Sequence, residues 1–216
     1  MKGLFIKDFR LLNTQKSGLL LMCVLAVFMT FYIDWDVSFL ISYLAVFSCM
    51  IGLNTLAYDR FDNGYTFLFT LPITRRQYVV EKYLFALCIP LIFWLLGCAI
   101  TCISLFIKMP SLQQGISEAR EQLSVGTLCL AVIIFIIALS IPIHLKLQSN
   151  VASSIVSIFM ACILLSSLNT EVLDILLQYL PKFPKQTLLM VLFSVCIIFY
   201  FISIAISVHI MDRKEY

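Results

Sequence analysis

The sequence predicts an all-α, polytopic membrane protein. It has six transmembrane helices, an interfacial helix at the N-terminus, and a short amphipathic extracellular helix between spans five and six. Three observations carry this prediction. First, 62% of the 216 residues are hydrophobic, 12% are charged, and the mean hydropathy is +1.01. A soluble globular chain has about 45–50% apolar and about 25% charged residues. Second, the apolar residues fall into six runs, at about 17–33, 37–57, 83–107, 124–143, 151–168 and 188–211. A spanning helix needs about 20 residues, with a range near 17–25, so each run qualifies. None shows the two-residue alternation of a membrane barrel. Third, the basic residues sort by side.

Six crossings put both termini on one side, and charge decides which. The segments on that side hold Lys2, Lys7, Arg10, Lys16, Arg60, Arg75, Arg76, Lys82, Lys146, Arg213 and Lys214. The opposite segments hold Lys108, Arg120, Lys182 and Lys185. Lys and Arg accumulate on cytoplasmic loops, so a split of eleven to four places both termini in the cytoplasm of a multi-pass cell-membrane protein. The basic residues flank apolar runs instead of sharing one face, so the net charge of +3 does not point to nucleic acid.

Residues 1–16, MKGLFIKDFRLLNTQK, precede the first span. On a helical wheel Phe5, Phe9 and Leu12 cluster while Lys7 and Arg10 lie opposite, as in a helix resting on lipid. The alternative is a disordered basic tail. No small-x-small cleavage site follows the first run, so it is read as a retained span rather than a removed signal peptide. Asp34, Trp35 and Asp36 stand there instead and make spans one and two a tight hairpin, with Trp35 at the headgroup level.

In the outer loop after span three, Ser117 of SEAREQ is placed to cap a short helix leading into span four. The loop after span four, about 144–150, carries Lys146. His144 and His209 lie near inner membrane ends, where isolated histidines are more often interfacial polar residues than titrating or metal sites. Ser153, Ser157 and Ala161 recur every four residues in span five, and Ser203 and Ser207 repeat the pattern in span six. Such stripes let a second helix approach closely, although they occur in any bundle. In NTEVLDILLQYLPKFPKQ, Glu171, Asp174 and Gln178 share a helix face, with Val172, Leu176, Tyr179 and Leu180 on or near the other. Asn169 or Thr170 caps the start, and Pro181 and Pro184 end it, giving an outer amphipathic or re-entrant segment at 169–187.

All eight cysteines lie in apolar runs and none forms a CxxC, which argues against a zinc site or a disulfide framework. Cys98 and Cys102 share a helix face and offer two soft ligands, but packing between helices is much the commoner role. There is no G-x-x-x-x-G-K-[ST] phosphate loop, no H-E-x-x-H and no G-x-S-x-G. The inner halves of the runs hold almost no ionisable residues, where ion-coupled carriers place them. Pro90 and Pro142 are isolated rather than paired as in broken transporter helices. No catalytic, cofactor-binding or metal-binding residue is assigned, and the chain is not read as an enzyme. Any energy has to come from a partner.

The longest polar break in the apolar sequence is 58–83, YDRFDNGYTFLFTLPITRRQYVVEKY. Asn63 and Gly64 read as the C-terminal cap of span two, because both tolerate the left-handed conformation. An apolar island follows at 65–71, and Pro72 breaks the chain. Thr74 and Gln77 have capping-box spacing, so a helix starts there and runs through Glu81 and Lys82 into span three. The product is an elbow with an apolar tip and a basic shoulder. One reading has the tip dock on a soluble partner that drives the membrane part. The other lays it in the headgroup layer or against the chain's own bundle, and the residues leave the two even. Asp59, Asp62 and Glu81 have no base or nucleophile nearby in sequence, so no catalytic site is read there.

These segments resemble the permease subunits of type-2 ATP-binding-cassette (ABC-2) transporters. MKGLFIKDFRLL is similar to that family's short basic interfacial helix. DNGYTFLFTLPITRRQYVVEKYL is similar to its cytoplasmic loop at Asp62, Gly64, Leu68, Leu71, Pro72, Ile73, Thr74, Arg75, Tyr78, Lys82 and Tyr83. The six-span plan and the short basic end MDRKEY agree with it. The likeness covers the whole chain in layout and the two cytoplasmic segments in motif.

The resemblance implies a single permease domain over 1–216 and a dimer with a second permease copy, identical or not, in contact with membrane lipid. It also implies a separate soluble ATPase that holds ATP and Mg, with no cofactor in this chain. Within the loop 58–82, Asp62, Gly64, Tyr65, Phe67, Leu68, Phe69, Leu71, Pro72, Thr74, Arg75 and Arg76 would then form the coupling element seated in a cleft of that ATPase. By analogy with small exporters, the substrate is a peptide toxin, an antimicrobial, a lantibiotic-like compound or another amphipathic molecule. The competing reading is a stand-alone membrane immunity protein that sequesters a peptide without ATP.

Overall fold

A computed structural model of the chain describes residues 2–32, 37–59, 64–108, 112–147 and 185–213. Among the described residues every regular element is an α-helix. Helix α1, Lys2–Thr14, meets α2, Lys16–Tyr32, at a bend of 62° around Gln15. Then come α3, Val37–Tyr58, the short α4, Gly64–Thr70, and α5, Arg75–Lys108. Helices α6, Leu112–Leu147, and α7, Lys185–Asp212, complete the described part of the bundle. Four of these helices, α3, α5, α6 and α7, are long and apolar enough to cross a membrane, and the bent pair α1–α2 makes up to a fifth. The run at 151–168, the stripe of Ser153, Ser157 and Ala161, and the segment with Glu171, Asp174 and Gln178 lie outside the described residues.

Two expected boundaries change. Ser117 does not cap a separate outer helix, because α6 begins at Leu112 and passes through it unbroken. Residues 118–122 are good helix formers without Gly or Pro, so nothing stops the turn. At its other end α6 runs to Leu147, which puts His144 and Lys146 in its last turn rather than in a loop. Pro90 and Pro142 sit inside α5 and α6 without ending them. With 34 residues, α5 is about 51 Å long, well beyond the roughly 30 Å hydrocarbon layer, so its polar first two turns project past the apolar run that starts at Tyr83.

Helix α3 packs against both α5 and α6, and α7 lies along α6 and α5. Glycines permit the close crossings: a Cβ on Gly97 would lie 3.2 Å from the Ile41 backbone, and one on Gly52 3.4 Å from that of Ala86. These contacts make α3 and α5 antiparallel. Ala138 of α6 meets Ser203 of α7, and Phe135 meets Phe199, so α6 and α7 run in the same direction. The span-six stripe has a partner within the chain. The buried Ser203 and Ser207 hydroxyls lie 2.6 and 2.7 Å from the Tyr83 hydroxyl, while Tyr200 donates to the Tyr83 carbonyl at 2.9 Å. In an apolar medium such bonds replace the hydrophobic drive that lipid does not supply. The faces turned away from the bundle, such as Leu20, Leu21 and Val24 on α2 and Met190, Ile198 and Phe201 on α7, are apolar and exposed, as lipid contact requires.

Candidate functional site

At one end of the bundle α1, the end of α3, α4, the start of α5 and the end of α7 converge. Helix α1 offers Leu4, Asp8 and Leu12 at four-residue spacing, and all three are buried. Its packing partner is α5: Phe9 sets its ring edge-on to Phe85 at 5.7 Å, and Phe5 lies 6.5 Å from the same ring. Phe9 itself stays largely exposed, and Arg10 is exposed. Lys7 departs from its expected place opposite the apolar stripe. It is ion-paired with Asp59 and lies 3.5 Å from Asp8.

Lys82 is the hub of this end. Its side chain is 1% exposed, and the ammonium lies 2.5 Å from Asp8 Oδ2, 2.8 Å from Asp59 Oδ2 and 3.3 Å from Thr55 Oγ1. It also stands 5.6 Å above the Tyr78 ring, a cation–π distance. The Tyr78 hydroxyl donates to Asp59 Oδ2 at 3.0 Å. Burial alone would push the Asp59 carboxyl up, but Lys82 and then Lys7 outweigh it and hold the group below the usual aspartate range. These charges lie just outside the apolar runs, whose inner halves remain nearly free of ionisable residues. Asp8, Asp59, Glu81 and Lys82 are all buried at this end, drawn from three helices that are far apart in sequence.

The elbow rests on this cluster. Helix α4 turns Tyr65 and Leu68 into the core, with Tyr65 edge-on to Tyr78 at 5.8 Å and Phe69 edge-on to it at 6.0 Å. Phe67 points away and is 72% exposed, and Leu71, Pro72 and Arg76 are exposed beside it. The apolar island is thus divided between the two readings: one face lies against the bundle and the other is bare. Gly64 is not the left-handed cap expected of it. It opens α4, and a Cβ there would stand 2.6 Å from the Asp59 carbonyl oxygen, so close approach is what requires glycine. Asp62 lies outside the described residues.

The predicted capping box forms reciprocally, with Gln77 N donating to Thr74 Oγ1 and Thr74 N to Gln77 Oε1, each at 3.3 Å. Arg75 turns back and donates to the last carbonyls of α7, Met211 at 3.1 Å and Asp212 at 2.9 Å. A cation there also meets the negative end of the helix dipole. Arg76 lies 3.8 Å from the Asp212 carboxylate. The basic shoulder therefore ties the elbow to the end of α7, and Arg76 remains the open member.

Asp8 was absent from the sequence-derived site, Tyr78 entered only as a position of the family resemblance, and Asp59, Glu81 and Lys82 were seen without their partners. A usable signal existed for Asp8: an acid between Leu4 and Leu12 on the apolar face of a basic helix. Asp59 and Lys82 lie 23 positions apart and join only because α3 and α5 pack antiparallel.

These features define a multi-span helical membrane protein whose N-terminal helix and central elbow are locked together by buried charge. Over residues 3–212 the chain matches the model of a family described as "ABC-2 family transporter protein". The chain belongs to that family and is a membrane protein of ABC-2 transport. No curated protein and no solved structure matches it.

Proposed function

We propose that the chain is the transmembrane subunit of an ABC exporter, a single permease domain that forms the translocation pathway with a second permease copy and is driven by a separate ATPase. The observation that carries this reading is the division of α4. Tyr65, Leu68 and Phe69 anchor it on Tyr78 while Phe67 stands 72% exposed at its tip, beside Leu71 and Pro72. A bare aromatic on a rigid base suits a partner's pocket, since buried aromatic anchors dominate docking energetics. A push on the tip is passed to α3 and α5 through Asp59 and Tyr78. The docking face narrows to Phe67, Leu71, Pro72 and Arg76, with Gly64, Thr74 and Arg75 holding the elbow's shape.

The six-span plan belongs to the same proposal. Helices α6 and α7 run in the same direction, so a single crossing by the apolar run at 151–168 would join them and bring the total to six with α2, α3, α5, α6 and α7. The basic residues of this end then face the cytoplasm with both termini. The substrate class that fits such small exporters is a peptide or another amphipathic compound.

The test is Phe67→Asp in the full chain co-expressed with its ATPase. The expected result is loss of co-purification with an unchanged melting temperature. Retained association would overturn the coupling role, and protection against a peptide in cells without the ATPase would favour the stand-alone immunity reading. Phe69→Asp is a poorer probe, because its ring packs on Tyr78 and its loss disturbs the elbow itself.

A further inference from the structure

The buried charges at the root of the elbow do not balance. Asp8, Asp59 and Glu81 face Lys7 and Lys82, three carboxylates against two ammonium groups, one negative charge in surplus. The surplus has a location. Lys82 and Lys7 are shared between Asp8 and Asp59, whereas Glu81 is 0% exposed and neither of its oxygens has a hydrogen-bond partner among the described residues. Asp8 Oδ1, on the adjacent α1, is likewise buried without a hydrogen bond. A buried carboxylate with no donor is among the costliest groups a fold can carry, and such a group neutralises instead.

We propose that Glu81 is a proton-binding site and that its proton is what allows α1 to stay latched to the elbow. The charged groups that act on it are Lys82 on its own helix, Asp8 and Lys7 on α1, and Asp59 at the end of α3. With the proton bound, Lys7 and Lys82 are matched by Asp8 and Asp59. Without it, a second anion stands by Asp8 and competes for Lys82, the residue that holds α1 to α5. Loss of the proton therefore loosens α1 first. This reading stands on the cluster alone and does not depend on the coupling role of Phe67.

The test uses the full chain in lipid nanodiscs. Infrared spectra of the wild type minus Glu81→Gln should show a protonated-carboxyl C=O band at neutral pH. The sign of the pH effect follows from linkage. The unfolded chain releases this proton near the ordinary glutamate value of about 4.3, while the folded chain keeps it. The wild type then loses stability as pH rises, and its α1 amides exchange faster once corrected for intrinsic rates. Glu81→Gln, which mimics the protonated group in shape and charge, should melt at a temperature independent of pH over that range. If Glu81→Gln fails to fold, Glu81→Met supplies the same neutral comparison. No difference band, or an equal pH slope in wild type and variant, overturns the proposal. Stabilisation of the wild type by sodium, with no band, overturns it in favour of a metal cation.

Discussion

Lys82 Nζ and Asp8 Oδ2 lie 2.5 Å apart with both side chains at or below 1% exposure, and this contact pins the N-terminal helix to the start of α5. Removing one partner of a buried pair strands the other, which costs about 3–5 kcal/mol, whereas replacing both by apolar groups is often neutral. Lys82→Met should therefore be strongly destabilised in denaturant titrations in detergent, because it removes the buried cation that Asp8 and Asp59 share and leaves both acids to the partly exposed Lys7. Asp8→Leu combined with Lys82→Met should recover part of the loss, a non-additivity that a double-mutant cycle reads directly. A Lys82→Met chain as stable as the wild type would remove the cluster's structural role.

Acid should act on Asp59. Its carboxyl is held low because Lys82 and Lys7 outweigh its burial. A depressed folded value means that its stabilising contribution is complete above the unfolded aspartate value of about 3.9 and is lost as pH falls through the lower folded value. Melting of the wild type should fall steeply in that acid range. Asp59→Asn should be less stable at neutral pH and flatter in acid. Parallel acid curves for the two proteins would contradict the assignment.

Gly64→Ala tests the contact between α4 and the end of α3. The added methyl would stand 2.6 Å from a backbone oxygen that cannot swing away. Overpacking of this kind costs about 1–3 kcal/mol, and the elbow should lose protection from proteolysis. Gly18→Ala is the control, because nothing lies within 4 Å of the added atom in α2. Relief of a helical glycine there should be neutral or stabilising by up to about 1 kcal/mol. Equal melting temperatures for the two variants would show that the α4 approach is not tight.

The elbow and its capping box were legible in sequence because Pro72, Thr74 and Gln77 act on neighbours within a few positions. The division of the apolar island was not. Tyr65, Phe67 and Leu68 are chemically alike, and only the position of Tyr78 decides that two of them turn inward. Lys7 was misplaced for a related reason: a helical wheel gives the angle of a side chain but not the acid that a distant helix brings to meet it.

The chain by itself determined that this is a bundle of membrane-crossing helices, because the bilayer leaves apolar runs of this length one way to satisfy their backbone. It also determined where the elbow lies, because turns and caps are written in adjacent residues. Only the tertiary structure decided that Asp8, Asp59, Glu81 and Lys82 share one dry space. Charge pairing across three helices depends on their direction and spacing, and no local pattern of residues encodes those.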